Sequence, residues 1–345
     1  MPASNLRAAT GFVRLWVVKL SSKQAKISVV IPTWNRRDLI MTCLESLAAQ
    51  TLDEAEIIVV DDASSDDTLE ALAQAHPEVR VLRLLENRRF AAAVNAGLRI
   101  ATGEWVFLLN NDVTLEPEAL ATLLRVVETQ QADMAGPLIL WSGNPDTIHS
   151  AGDRIGVNGR PESIGFRQPL ADFEFSAPVF GVSAAAGLYR RSLFERVGLL
   201  DETFVAYFED SDFCFRARLA GAKAVLVSEA VAYHIGSASI AGQTWWRSAQ
   251  CFRNHGLLVI KNMPAPLLLK YGPRIVRERL HQAHSMFSSA RAAFGAVAAL
   301  GVVARTLLSF ARAFPHALTE RRRIQRGRIL SVRDLEALLW DDRTP

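Results

Sequence analysis

Ile27-Ser28-Val29-Val30-Ile31, closed by Pro32, and Ile57-Ile58-Val59-Val60, closed by Asp61-Asp62, are the stretches whose reading decides the fold. Each is a short, almost unbroken β-branched run bounded by polar turn residues. That is the pattern of a strand covered on both faces, as in a parallel sheet. Between them Leu39, Ile40, Cys43, Leu44 and Leu47 recur at helical spacing. Working outward, a helical pattern over 68–75 leads to a third strand over 79–85. A helix over 91–101 then precedes Glu104-Trp105-Val106-Phe107-Leu108-Leu109, a strand that ends in Asn110-Asn111-Asp112. Strand alternates with helix throughout, so the first half is predicted to be an α/β layer with a mainly parallel sheet. In such sheets ligands bind beyond the carboxyl ends of the strands. Residues 32–36, 61–62, 86–89 and 110–112 all sit at those ends and are expected to converge on one rim.

Further along, residues 141–180 are rich in Gly, Pro and polar side chains and predict loops with short strands. Residues 187–221 regain a helical pattern. Ala224-Val225-Leu226-Val227 predicts another strand, followed by Tyr233-His234. From about residue 245 the pattern is helical to the end, with Pro264, Pro266, Pro273 and Pro315 as expected breaks.

Composition sets the outer bounds. The chain has 345 residues, 50% hydrophobic and 22% charged, which excludes a disordered, collagen-like or disulfide-stapled protein and gives ample core. Its net charge of +3 conceals a split: residues 261–345 hold 15 Lys and Arg against 6 Asp and Glu, leaving −6 for the rest. A basic tail of this kind suggests nucleic acid or an anionic membrane as its partner. Cys43, Cys214 and Cys251 are odd in number and far apart, which indicates neither a disulfide framework nor a zinc ribbon and fits a cytoplasmic location.

Near the N-terminus the apolar run 12–18 is interrupted by Arg14 and followed by Lys19 and Lys23. It makes a poor signal peptide and is read as an amphipathic arm. The longest apolar stretch, 292–304, is 13 residues between Arg291 and Arg305, short of the roughly 20 that span a bilayer, so no transmembrane helix is expected. Arg291, Arg305 and Arg312 fall 14 and 7 residues apart, on one helical face. Such a helix suits a membrane interface, or equally a helix packed on the body with a solvated Arg face. The run Arg321-Arg322-Arg323-Ile324-Gln325-Arg326-Gly327-Arg328 reads as a solvated or membrane-facing basic segment, and nucleic acid is not expected as a partner.

No strand is followed by Gly-x-Gly-x-x-Gly or by a Gly-Lys-Ser/Thr loop. The rim instead offers carboxylates, carboxamides and one arginine, a set that suits a divalent cation and, through it, a diphosphate. The order Val29-Val30-Ile31-Pro32-Thr33-Trp34-Asn35-Arg36, Val59-Val60-Asp61-Asp62-Ala63-Ser64-Ser65-Asp66, Asn110-Asn111-Asp112 and Phe208-Glu209-Asp210-Ser211-Asp212 resembles family 2 glycosyltransferases. These are inverting enzymes of the GT-A fold, a Rossmann-like α/β domain that takes nucleotide-diphosphate sugars. The resemblance covers roughly residues 26–240. Within the family, Leu109-Asn110-Asn111-Asp112 makes the chain similar to bacterial rhamnosyltransferase-type enzymes of polysaccharide assembly, which implies dTDP-rhamnose as a donor.

The resemblance assigns the sites. Pro32, Thr33, Trp34, Asn35, Asp62, Arg89, Asn110 and Asn111 would hold the donor, with Trp34 stacking on the base and Asp62 accepting from a pyrimidine N–H. Asp61 either partners Asp62 or caps the next turn, and Asn95 is structural. Asp112, with His234, would hold Mg2+ or Mn2+, although Asn110 replaces the first acid of the family's Asp-x-Asp motif. Asp210 matches the catalytic base and Glu209 its neighbour. Phe208, Phe213 and Phe215 surround this cluster, so at least one acid is expected to be poorly solvated and more basic than usual. Asp212 begins a helix, where it caps or contacts the acceptor. Trp245, Trp246 and Arg247 suit a sugar ring and a phosphate on the acceptor, with one tryptophan expected in the core.

The implied organisation is an arm over 1–25, a GT-A catalytic domain over 26–245 and a basic helical region over 246–345. The implied setting is peripheral, on the cytosolic face of the cell membrane, with a glycan or lipid-linked acceptor. The asparagine in the metal motif leaves a second class open, a nucleotide-sugar-binding scaffold without turnover.

Overall fold

The computed structural model describes residues 13–16, 25–175, 179–236 and 244–341. Of the arm expected over 1–25, most lies outside the described residues; its Val13–Trp16 is a strand, β1. There follow β2 (Ile27–Thr33), α1 (Arg37–Ala48), β3 (Ala55–Asp61), α2 (Thr68–Ala75), β4 (Arg80–Leu84), α3 (Arg89–Leu98), β5 (Trp105–Leu109), β6 (Val113–Leu115), α4 (Ala119–Gln130), β7 (Met134–Trp141) and β8 (Asn144–Ser150). After β9 (Asp153–Ile155) and β10 (Pro161–Ser163) come β11 (Ala186–Arg190), α5 (Arg191–Val197), α6 (Glu209–Leu219) and β12 (Ala224–His234). The chain ends in α7 (Thr244–Asn262), α8 (Ala265–Phe294), α9 (Ala296–Arg326) and α10 (Val332–Leu338).

These elements form two compact units that interleave in sequence. The first comprises residues 1–152, 163–200 and 223–236; the second comprises 153–162, 201–222 and 237–345. The segment around Glu209 and Asp210 therefore clusters with the C-terminal helices.

The first unit is the expected α/β layer. Its sheet runs β1-β4-β3-β2-β5-β11-β7-β12-β6, with β8 added on β7. Strands β4, β3, β2 and β5 are parallel, so their carboxyl ends share one edge. The order turns back at β2, whose neighbours are β3 and β5, and such a reversal opens a crevice beyond the strand ends. Val29, Ile31, Val59, Phe107 and Leu109 pack with Ile40, Cys43, Leu44 and Leu47 of α1 in a continuous buried core.

Two expectations are corrected. Residues 186–190 are not helical but form β11, antiparallel to both β5 and β7. Ala186-Gly187-Leu188-Tyr189 is buried on every side, and a fully buried short run has no period that separates strand from helix. Pro273 and Pro315 do not break the chain; each lies inside a helix, α8 and α9. The break falls at Gly295, whose φ of +85° favours glycine.

The helical unit packs α7, α8 and α9 on one another. Helix α9 takes up most of the apolar run, 296–304, and continues past Arg305 to Arg326. It is the one helix among the described residues long and apolar enough to cross a membrane by length and composition, with a window of mean hydropathy 1.5. The length argument against a span therefore does not hold for it.

Helix α3 lies on the sheet through Gly97. A Cβ at that position would overlap Val30 Cγ1 and come within 3.1 Å of Val60 Cγ2, both in the buried centre of β2 and β3. Gly97→Ala is expected to cost about 1–3 kcal/mol through overpacking, read as a lower midpoint in denaturant unfolding. An unchanged midpoint would show that the helix can move off the sheet freely.

Candidate functional site

The rim at the carboxyl ends of β2, β3 and β5 gathers the expected donor residues. Pro32 and Thr33 close β2, and Thr33 Oγ1 accepts from Asn111 Nδ2 at 2.9 Å, bridging the crevice where the strand order reverses. Trp34 stands just past β2 and is 46% exposed, so it is not a core edge residue and its face is open to a planar partner. Asn35 has φ +50°, and its carboxamide oxygen accepts from the Ser65 amide at 2.7 Å. Its side chain thus holds the loop after β3.

At the end of β3 the paired acids divide their work. Asp61 is fully buried, accepts the Ser64 amide and lies 3.6 Å from Arg83 Nε; it caps the turn, as one of the two readings had it. Asp62 accepts the amides of Arg88 at 2.7 Å and Arg89 at 2.9 Å, one on each oxygen. Burial pushes its carboxyl up and the two amides oppose this; the charge of Asp61 adds to the rise. Oδ1, which accepts the Arg88 amide alone among these bonds, retains a lone pair that suits an incoming base N–H. Asn87, in the orientation that satisfies both its neighbours, donates to Asp62 Oδ2 and accepts from Trp34 Nε1, each at 3.3 Å.

Arg89 takes φ +72°, a left-handed conformation that costs a non-glycine residue on the order of 1 kcal/mol or more. Its exposed guanidinium makes no hydrogen bond or ion pair among the described residues. Asn95 exchanges two hydrogen bonds with the Leu200 backbone, at 2.9 and 3.0 Å, and is structural.

Asp112 and His234 meet because β12 pairs antiparallel with β6, bringing His234 opposite Val113. His234 Nε2 lies 3.2 Å from Asp112 Oδ1. Two atoms here are buried without a hydrogen-bond partner among the described residues, Asn110 Oδ1 and His234 Nδ1. Cys43 Sγ donates to the Asn110 carbonyl; burial pushes its thiol well up, so it stays neutral. No three His, Cys, Asp or Glu gather into a metal cluster among the described residues. One carboxylate, one imidazole and an orphaned carboxamide oxygen nevertheless fit Mg2+ or Mn2+, which keep positions for water and phosphate oxygens. No local pattern marks His149 on β8, whose ring packs edge-on against His234 with centroids 4.4 Å apart and against Trp141 at 4.6 Å.

The second unit presents Glu209 and Asp210 at the start of α6. Tyr207 and Phe208 before them both take left-handed φ, +68° and +72°. Asn254 of α7, fully buried, fixes this turn by donating to the Ala206 and Tyr207 carbonyls at 2.7 and 2.8 Å. Glu209 is the poorly solvated acid: burial, with Asp210 adding, pushes it up to about 8. Asp210 is half-buried and accepts the Ser211 amide at 2.7 Å.

Asp212 is corrected as an acceptor contact. It is fully buried, with one oxygen 2.9 Å from Arg216 Nε and the other 2.9 Å from Lys261 Nζ and 2.8 Å from Asn262 Nδ2. Those charges hold its carboxyl low. Of the suggested acceptor group, Trp245 packs edge-to-face on Phe294, Trp246 faces Tyr207, and Arg247 lies over the Tyr207 ring at 5.6 Å.

Residues 28–198 match the family described as Glycosyl transferase family 2. The uncharacterized glycosyltransferase YwdF of Bacillus subtilis is 30% identical over 203 residues, 56% of this chain and 68% of that one. The chain belongs to glycosyl transferase family 2. This family 2 chain is also 31% identical over 219 residues to the poly(ribitol-phosphate) beta-glucosyltransferase of Bacillus spizizenii, spanning 61% of its own length but only 32% of that relative. Its fold is that of the mannosyltransferase PcManGT from Pyrobaculum calidifontis, solved with GDP-Man and Mn2+, at a TM-score of 0.55, 20% identity and coverage of 89% and 86%.

Glu209 gives the fold a pH-dependent stability. The unfolded chain releases that proton near 4.5 and the folded chain near 8, so in between the folded state holds an extra proton and loses stability as pH rises. Glu209→Gln lacks this slope. Thermal unfolding of both proteins should show the variant gaining on the wild type from about pH 5 to about pH 8; a constant difference would mean that Glu209 is not buried as a neutral acid.

Proposed function

We propose that the chain is an inverting glycosyltransferase that moves a sugar from a nucleotide-diphosphate donor, with dTDP-rhamnose as the leading choice, to a lipid-linked or polysaccharide acceptor in bacterial cell-surface glycan synthesis. The observation that carries this reading is the rim itself: an open Trp34, the Asn87–Asp62 pair beside it and the Asp112–His234 pair, all at one edge of the parallel sheet. The glucosyltransferase relative and the GDP-Man and Mn2+ of the mannosyltransferase structure support it.

In this reading Trp34 stacks on the base, Asp62 accepts its N–H and Arg89 supplies a free cation for the donor phosphates or a base carbonyl. Asp112 and His234 would hold Mg2+ or Mn2+, which would supply positive charge to offset that of a diphosphate leaving group. Asp210 takes the acceptor hydroxyl proton as the new glycosidic bond forms, an aid typically of about 10²–10⁴-fold. Glu209, neutral at pH 7, leaves Asp210 as the charged member of the pair. The enzyme works on the cytosolic face of the membrane, beside a glycan or lipid-linked acceptor, a setting that the net positive charge of residues 261–345 supports.

Asp210→Asn should abolish transfer from a panel of nucleotide sugars with Mg2+ or Mn2+ while donor binding by calorimetry stays nearly intact; turnover like the wild type would remove the mechanism. Arg89→Gly separates strain from binding. It should keep or raise the melting temperature while weakening donor affinity about tenfold, the worth of one charged hydrogen bond. Full affinity in that variant would assign Arg89 to the surface.

A further inference from the structure

A cavity of about 510 Å³ lies within the helical unit, between α7, the end of α8 and the first half of α9. One side is apolar: Trp245 packed on Phe294 with centroids 5.2 Å apart, and Val302 of α9. The other carries Arg253, which is only 6% exposed. Its Nε donates to Ser309 Oγ at 2.9 Å, and its Nη1 donates to the Thr203 carbonyl at 2.9 Å and Asn254 Oδ1 at 2.7 Å. Its Nη2 has no acceptor, and no carboxylate forms an ion pair with it, among the described residues. The Asp201 carboxylate supports this buried charge through space without bonding to it; an anion at the open edge of the guanidinium would add a direct contact, and the planar fork matches phosphate oxygens. Arg305, a second lining cation, bonds only the Gly301 carbonyl, at 3.3 Å, among the described residues. Gln250 Oε1, also on the lining residues, is enclosed without a donor among the described residues.

We propose that this cavity binds the phosphate head of an anionic aliphatic amphiphile, with the phosphate on Arg253 and Arg305 and the adjoining chain against Trp245, Phe294 and Val302. The inference rests on the proposed function in that a lipid-linked acceptor carries these two chemistries together.

The test is calorimetric titration of the full chain with octyl phosphate below its micellar concentration, against octyl glucoside and inorganic phosphate. Ala298→Trp, at an exposed lining position, obstructs the cavity, and Arg305→Gln removes a cation; circular dichroism and melting temperature verify folding of each. Octyl phosphate is expected to bind saturably, with either variant weaker by about tenfold, as loss of a charged contact implies. Equal binding of inorganic phosphate would overturn the aliphatic half, and equal binding of octyl glucoside the phosphate half. Unchanged affinity in both variants would overturn the site. No sugar donor is present in the titration, so a chain that binds octyl phosphate but transfers no sugar would sink the functional reading alone. A chain that transfers sugar without binding octyl phosphate would sink only this inference.

Discussion

The Asp62 carboxylate, accepting the amides of Arg88 and Arg89, is the contact on which the donor rim depends. It fastens the end of β3 to the start of α3, so the strand that contributes the acid also sets where the next helix begins. Through Asn87 the same carboxylate reaches the Trp34 indole, and the strained backbone of Arg89 is held in place by its own amide on Asp62. Gly97 completes this arrangement from the other end of α3 by letting the helix lie directly on Val30 and Val60. One buried acid thus positions an aromatic face, a free cation and a helix, and its charge is kept tolerable by the amides it caps.

Much of this edge was legible in the sequence for a simple reason. Parallel strands that each end in a polar cluster must deliver those clusters to the same side, so Trp34, Asp62 and Asn110-Asn111-Asp112 could be brought together without knowing any contact. What was not legible depends on antiparallel register. His234 reaches Asp112 only because β12 runs back along β6, and His149 reaches His234 only because β8 folds onto β7; neither pairing has a local signal. Strand β11 was hidden for the same reason, since its identity comes from neighbours on both sides. The prolines of α8 and α9 mislead in the opposite sense, because packing among long helices outweighs the loss of one backbone donor.

The acids around α6 show how burial sorts residues that look alike in sequence. Glu209, Asp210 and Asp212 lie within four positions, yet one is neutral near pH 7, one is half-buried and one is a fully paired anion. The sequence could predict that some acid among the phenylalanines would be poorly solvated. It could not say which, because the deciding partners, Lys261, Asn262 and Asn254, come from α7, some forty to sixty positions away.

Strand β1 has a consequence for solution behaviour. By pairing with β4 from Val13↔Leu84 to Trp16↔Val81, it occupies the outer row of amides and carbonyls on that side of the sheet. At the opposite end the edge strand β6 is only three residues long, too short to recruit a neighbour. A chain trimmed to begin at β2 would keep every residue of the rim and still uncover β4, whose free backbone would template strand addition by another molecule. The segment ahead of the first core strand thereby guards the fold against self-association, a duty separate from the chemistry at the far edge of the same strands.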